Sequence, residues 1–313
     1  MKVLVTGADG FVGTRLVRRL VDEGYRVSGS VRPGAAAARA LPEAVMAVPL
    51  ELTDPASVQR ALEPGYEAVV HLAAVSSGAD ARRDPGEAWA VNAAGTARLA
   101  DTLATGRERT ATDPLLLVAS TAEVYGDTGV ARPRTETDPP APCSPYAASK
   151  WGAEIAALEV HRREGLRVAV TRAFPHTGAG QDDRFVVPAF VRRIRLARGV
   201  GAPVVEVGNL EPVRDFVHVD DVVDAYMRLL ARARPGEVYN IASGTGVSIR
   251  DVFVRLATLL DARVMPETDA RLVRRSDIRH LVGDATKLRE ATGWTPRRAL
   301  DEALREVIGA EAD

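Results

Sequence analysis

A chain of 313 residues can bury roughly three quarters of its unfolded surface, enough for one large domain or for two that share an interface. A formal net charge of −1 leaves no basic excess to hold a polyanion by counterion release, so nucleic acid is not an expected partner. No apolar run reaches the length of a membrane span, Met1-Lys2 leads straight into a strand instead of a leader, and the single Cys143 suits a reducing compartment; a cytoplasmic protein with no membrane partner is expected.

Val3-Leu4-Val5 is a short apolar run that ends at Thr6-Gly7-Ala8-Asp9-Gly10-Phe11-Val12-Gly13, after which Leu16, Val17, Leu20 and Val21 recur at helical spacing. Strand, glycine turn and helix in that order fit a phosphate cradle. Gly7, Gly10 and Gly13 let backbone approach a pyrophosphate, and the helix start offers N–H groups and a positive dipole end. The second strand, Tyr25 to Arg32, ends in Val31-Arg32, where NAD-binding folds carry a carboxylate for the ribose hydroxyls. A guanidinium there attracts a 2′-phosphate, which favours NADP(H), with NAD(H) as the alternative. Ala35 to Ala40 reads as a surface loop.

Glu51-Leu52-Thr53-Asp54 follows the third strand, and Ala68 to Ala74 is a buried parallel strand by its continuous apolar run. Within it His71 reads as a hydrogen-bonded structural residue. Ser76 and Ser77 lie just beyond the strand's carboxyl end, where the crevice of such a sheet takes ligands. Leu115 to Ala119 is the next buried strand and delivers Ser120-Thr121-Ala122-Glu123. In Ser144-Pro145-Tyr146-Ala147-Ala148-Ser149-Lys150, a tyrosine and a lysine stand four residues apart at the start of an Ala-rich helix, and so share one face. A phenol near pKa ~10 exchanges a proton at neutral pH only if a neighbour such as an ammonium stabilises the phenolate. With three lysines and six tyrosines in the chain, chance would supply about 0.06 such pairs, so the match is suggestive only in company. Val168 to Arg172 makes a sixth parallel strand.

The Gly-x-x-Gly-x-x-Gly turn, the hydroxyl before Ala122-Glu123-Val124-Tyr125-Gly126 and the Tyr-x-x-x-Lys pair together resemble the extended short-chain dehydrogenases/reductases, the NAD-dependent epimerase/dehydratase family that acts on nucleotide sugars. The resemblance implies that Glu51 and Leu52 meet the adenine, that Leu72, Ala73 and Ala74 border the cofactor, and that Asn92 holds the geometry of the active-site helix. It implies that Thr121, with Ser120 as its neighbour, orients a substrate carbonyl, that Tyr146 gives or takes the proton, and that Lys150 lowers the phenol's pKa and binds the nicotinamide ribose. Glu123 matches the carboxylate that takes a sugar proton in the family's dehydratases, but Ala122 stands where the acid for the departing hydroxyl would be. That argues against dehydration and leaves reduction or epimerisation, with Glu123 as proton acceptor or as a contact to a substrate hydroxyl.

Arg172-Ala173-Phe174-Pro175-His176-Thr177-Gly178-Ala179-Gly180-Gln181, then Phe185-Val186-Val187, most resembles the family's GDP-4-keto-6-deoxy-D-mannose reductases. Pro175 replaces an asparagine and Ala179 a proline. Val207-Gly208-Asn209-Leu210-Glu211 before Arg214-Asp215-Phe216 continues the likeness, which implies substrate contacts at His176, Val187 and Asn209 and diphosphate contacts at Arg214 and Arg274. The expected fold is α/β, a Rossmann-like doubly wound parallel sheet with a smaller C-terminal α/β substrate lobe. Residues 1–173 with 214–245 would bind the dinucleotide, and 174–213 with 246–313 the nucleotide sugar. The expected activity is NADP(H)-dependent reduction of the C4 ketone of a GDP-4-keto-6-deoxyhexose by a homodimer. An epimerase or dehydratase with tightly bound NAD(P) is the first alternative and a non-catalytic dinucleotide sensor the second. None of the five histidines has ligand spacing, so no metal site is expected.

Overall fold

The computed structural model describes residues 1–34, 41–273 and 277–310. The Ala35 to Ala40 loop reading and the Arg274 phosphate-contact reading lie outside the described residues.

Strands β1 (Lys2–Thr6), β2 (Arg26–Val31), β3 (Met46–Pro49), β4 (Ala68–His71), β5 (Leu115–Thr121) and β6 (Arg167–Ala173) enter one sheet. Short strands β7 (His176–Thr177), β8 (Val204–Val207), β9 (Val213–Asp215) and β10 (Val217–His218) follow, and β11 (Val238–Ile241) returns to the sheet, whose order is β11-β6-β5-β4-β1-β2-β3. Every pairing in it is parallel. After β3 the chain crosses to the other side of β1, so β1 and β4 flank the switch point where such sheets take ligands.

Burial on both faces explains the near-continuous apolar strands. Val3, Val5, Leu115 and Leu117 point to a core shared with α1 (Gly13–Asp22) and, much later, α8 (Val219–Arg232). The alternate residues Leu4, Leu116 and Val118 point to a second core, shared with α2 (Pro55–Leu62), α5 (Gly95–Thr110) and α6 (Pro145–Glu164). Two short helices, α3 (Gly78–Arg83) and α4 (Pro85–Trp89), lie between β4 and α5.

A third core joins α7 (Val186–Gly199), β8, α9 (Ile249–Leu259) and α11 (Leu300–Ala310) through Phe190, Val205, Phe253 and Leu304. Between them lie β12 (Gly246–Ser248), β13 (Met265–Thr268), β14 (His280–Leu281) and α10 (Thr286–Thr292). Strands β12, β9 and β14 form one small sheet and β13 with β8 another. The buried Trp294, beyond α10, packs on the first core and donates its indole N–H to the Asp221 carbonyl at 3.0 Å, which ties the C-terminal segment to α8.

Candidate active site

The turn after β1 is held against β4 by Thr6, whose Oγ1 accepts the backbone N–H groups of Leu72 and Ala73 at 3.1 Å each. Gly7 takes φ +67°, and a Cβ on it would lie 2.9 Å from the Ala73 nitrogen. A Cβ on Gly13 would lie 2.1 Å from the Gly7 carbonyl oxygen, so the first turn of α1 rests directly on the strand end. Val12, at the N-cap, makes no side-chain cap; the Gly10 carbonyl takes the Thr14 N–H at 3.0 Å, and the helix start brings its positive dipole end to the turn. This cradle, which side chains would fill, fits the pyrophosphate of a dinucleotide. Phe11 stacks on His176, with ring planes 4° apart and centroids 6.2 Å apart, so the cradle and the segment after β6 are in contact.

At the sheet's edge Arg32 is exposed beyond β2. Glu51 bonds the Thr53 backbone N–H at 3.0 Å, and that bond, then the Thr53 hydroxyl and the charge of Arg32, hold its carboxyl below the usual range against a burial effect that raises it. Leu52 is buried, and its carbonyl accepts Arg98 Nη1 at 2.5 Å.

A relay of hydrogen bonds crosses from this turn to the helix that carries Tyr146. Thr6 Oγ1 donates to His71 Nδ1 at 2.8 Å, and His71 Nε2 donates to Thr96 Oγ1 at 3.0 Å. Burial, helped by the ammonium of Lys150, pushes His71 down to about 3, so it stays neutral, as its structural reading requires. Asn92 lies in a π-helical turn, Ala90–Ala94, between α4 and α5. It accepts the Val75 N–H at 2.8 Å and donates to the Val75 carbonyl at 3.1 Å and to Ser149 Oγ at 2.9 Å. Ser149 in turn donates to the Tyr146 carbonyl at 2.8 Å.

Helix α6 starts where its sequence says it should. Ser144 accepts the Ala147 N–H at 3.1 Å, Pro145 occupies the first turn, and Tyr146 is therefore set in a fixed, capped turn. Thr121 ends β5, and its Oγ1 accepts the Glu123 N–H at 3.2 Å, which leaves its O–H to donate to the phenol oxygen of Tyr146. Burial and then the Glu123 carboxylate push the phenol above its ordinary value, and the Thr121 bond only partly offsets them. The sequence reading has Lys150 lower this pKa; here the groups that act on the phenol are Glu123, Thr121 and Tyr226, desolvation is the largest effect, and the phenol keeps its proton at neutral pH. Lys150, one turn on and 6% exposed, is pushed down to about 8 by burial, while the charge of Glu154 pulls it up.

The remaining sequence candidates are more dispersed. Ser76 is exposed, whereas Ser77 caps α3 by accepting the Ala79 N–H at 3.2 Å. Val187 is buried in the third core, and exposed Asn209 accepts the Glu211 N–H at 3.1 Å. Arg214 is held by Asp277 at 2.6 Å and by the Ile278 carbonyl at 2.6 Å. Ala73 and Ala74 are each partly buried just beyond β4.

Sequence reasoning passed over three groups. Tyr226 on α8 is buried close enough to raise the Tyr146 phenol further. Glu154, one turn beyond Lys150, has no motif of its own. His218, Glu302 and Glu306 bring three ligand-type atoms within 4.8 Å of one another. Yet His218 Nδ1 accepts the Asp220 N–H at 3.1 Å, so the proton sits on Nε2, the nitrogen a metal would need, 3.1 Å from Glu306.

A parallel sheet with a glycine cradle at its switch point and a hydroxyl, a tyrosine and a lysine at the neighbouring strand end defines a nucleotide-dependent oxidoreductase of the short-chain type. The chain belongs to the NAD dependent epimerase/dehydratase family, which it matches over residues 3–242. It is 35% identical to the GDP-6-deoxy-D-mannose reductase of Pseudomonas aeruginosa over 98% of this chain and 96% of the relative. It is 32% identical to the UDP-glucose 4-epimerase of Mycolicibacterium smegmatis over 98% and 97%. Among solved structures, RMD from Pseudomonas aeruginosa complexed with NADPH superposes with a TM-score of 0.82 at 33% identity, over 99% and 98% of the two chains. UDP-glucose 4-epimerase of Thermotoga maritima with UDP-glucose gives 0.89 at 29% identity, over 100% and 99%. The protein is thus an NAD(P)-dependent enzyme of nucleotide-sugar modification, and no helix among the described residues is long and apolar enough to cross a membrane.

Proposed function

We propose that this enzyme is a cytoplasmic NADP(H)-dependent reductase of the C4 ketone of a GDP-linked 4-keto-6-deoxyhexose. The observation that carries the reading is the protonated Tyr146 phenol, bonded by Thr121 and facing Glu123 with Ala122 before it: a proton donor for a developing alkoxide, without the second acid that dehydration needs. When bound, NADPH supplies the hydride. Thr121 orients the carbonyl by hydrogen bond, Tyr146 gives its phenolic proton to the carbonyl oxygen, and the Lys150 ammonium stabilises the phenolate left behind. Glu123 holds a sugar hydroxyl. The relative named as a GDP-6-deoxy-D-mannose reductase supports the same substrate class.

The test is nicotinamide absorbance after mixing the protein and NADPH with freshly made GDP-4-keto-6-deoxymannose, with Tyr146→Phe alongside. Stoichiometric loss that the variant abolishes is expected; no loss sinks the substrate assignment. The epimerase reading is favoured by UDP-glucose 4-epimerases among the relatives and neighbours and predicts retained dinucleotide and no net absorbance change. A silent dinucleotide sensor would not need the Tyr146 and Lys150 pair this chain keeps.

Arg32 supports the NADP(H) preference. Changing Arg32→Asp is expected to weaken NADPH binding about 10–100-fold, the value of a charge-assisted hydrogen bond, and to leave NADH binding within twofold or better. Equal losses for the two dinucleotides, measured by fluorescence titration, would show that Arg32 does not touch the 2′-phosphate.

A homodimer is supported by an open apolar groove of about 740 Å³ between α5 and α6, lined by Trp89, Ala93, Trp151, Gly152 and Ile155. Trp89 and Ile155, each close to half exposed, lie together in this groove as one apolar patch. Ile155→Arg is expected to convert a dimer to monomer in light scattering; a monomeric parent protein would remove the proposal.

A further inference from the structure

A buried ion pair, Glu154 with Arg172, lies beneath the catalytic helix. Glu154 lies four residues after Lys150 and eight after Tyr146, on the same face of α6, and is 2% exposed. Its Oε1 accepts Ser120 Oγ, the neighbour of Thr121 on β5. Arg172, 5% exposed on β6, grips it with Nη2 to Oε2 at 2.8 Å and Nε to the two oxygens at 3.1 and 3.2 Å. The guanidinium then lies 4.8 Å from the ring centre of Tyr125, whose hydroxyl donates to Asn240 at 2.7 Å. One carboxylate thus joins α6, β5 and β6 immediately behind the reacting groups.

We infer that Glu154 is a positioning residue for proton transfer, a fixed buried negative charge that keeps Lys150 an ammonium while Arg172 and Ser120 keep the carboxylate in place. The inference rests on the reading of Lys150 as the lysine that serves Tyr146. A buried ammonium loses its proton readily unless a negative charge compensates it. The titratable groups around this face are His71 from β4, Glu123 and Tyr125 from the turn after β5, Tyr146 and Glu154 from α6, Arg172 from β6 and Tyr226 from α8. His71 is neutral and the three tyrosines are pushed up by burial, so all four are uncharged near pH 7. Of the charged groups, Glu123 acts on Tyr146, Glu136 on Tyr125 and Glu154 on Lys150, while Arg172 is spent on Glu154.

The test reads Lys150 directly. With only three lysines in the chain, protein labelled with ¹³C at lysine Cε gives three resonances, and Lys150→Met assigns the one that matters. In the parent its midpoint is expected at about 8. In Glu154→Gln it is expected to fall by about one pH unit, and the alkaline limb of kcat for NADPH oxidation should fall with it, because the ammonium form is then lost at lower pH. Removing one partner leaves Arg172 buried and unpaired, so Glu154→Met/Arg172→Met is run beside it; exchanging both for apolar residues of similar volume is often neutral for folding. If Glu154 acts electrostatically, the double variant folds and keeps the lowered midpoint. If the pair is only structural, the double variant titrates like the parent, and the inference is overturned. A lowered midpoint in a protein whose parent never consumes NADPH would leave this inference standing and remove the reductase reading instead.

Discussion

Tyr146→Phe is expected to lower kcat for NADPH-dependent ketone reduction about 10²–10⁴-fold, the range ascribed to one positioned acid, while NADPH affinity and the melting temperature stay close to those of the parent. The phenol oxygen bonds Thr121 at the crevice, but the ring is held by a capped helix turn whose Ser144, Pro145 and Ser149 contacts are to backbone. Phenylalanine keeps those contacts. The proton then has to come from water, and Thr121 alone polarises the carbonyl. KM for the sugar should change less than kcat, since the lost bond strengthens as the alkoxide forms. Stopped-flow single turnover with saturating NADPH separates chemistry from release. A variant that retains a third or more of the parent's single-turnover rate would show that another group, Glu123 or the substrate itself, delivers the proton.

Much of this site is written locally in the chain, and the divisions are physical. The strands near the cofactor are readable because burial on both faces makes them continuous apolar runs, as in Leu115 to Val118, and the catalytic helix is readable because Ser144 and Pro145 announce its start. The strand ends, His71 and Thr121, fall within two or three residues of where the sequence puts them. What stays hidden is every relation whose partners are far apart in sequence. Phe11 meets His176, and Arg214 is neutralised by Asp277, without any spacing rule to announce either contact. The π-helical turn at Asn92 is equally silent: it accompanies bonds from Asn92 to Val75 and Ser149, partners 17 and 57 residues away in sequence. The sign of the shift at Tyr146 fails for a related reason. A Tyr-x-x-x-Lys pair shows the ammonium but neither the burial nor the Glu123 carboxylate, and at this site those two raise the phenol, burial first.

Gly13→Ala is expected to cost about 3 kcal/mol or more of stability and to weaken NADPH binding by about 10²-fold or more, and Gly10→Ala separates the two effects. A methyl on Gly13 would stand 2.1 Å from the Gly7 oxygen and 2.9 Å from the Ala8 Cα, all of it backbone, so the start of α1 must move off the end of β1. That movement opens the turn and carries the helix's leading N–H groups away from the pyrophosphate position. A methyl on Gly10 meets only the Gly7 oxygen at 3.1 Å, which a shift of a few tenths of an ångström relieves, so the fold should tolerate it. It still projects backbone-close bulk into the cradle. Thermal melts should therefore show a drop of several degrees for Gly13→Ala and little change for Gly10→Ala, whereas fluorescence titration shows NADPH binding lost in each. If Gly10→Ala binds NADPH like the parent, the pyrophosphate does not lie over this turn; if Gly13→Ala melts like the parent, α1 can slide along β1, and the close approach of helix to strand is not what shapes the cradle.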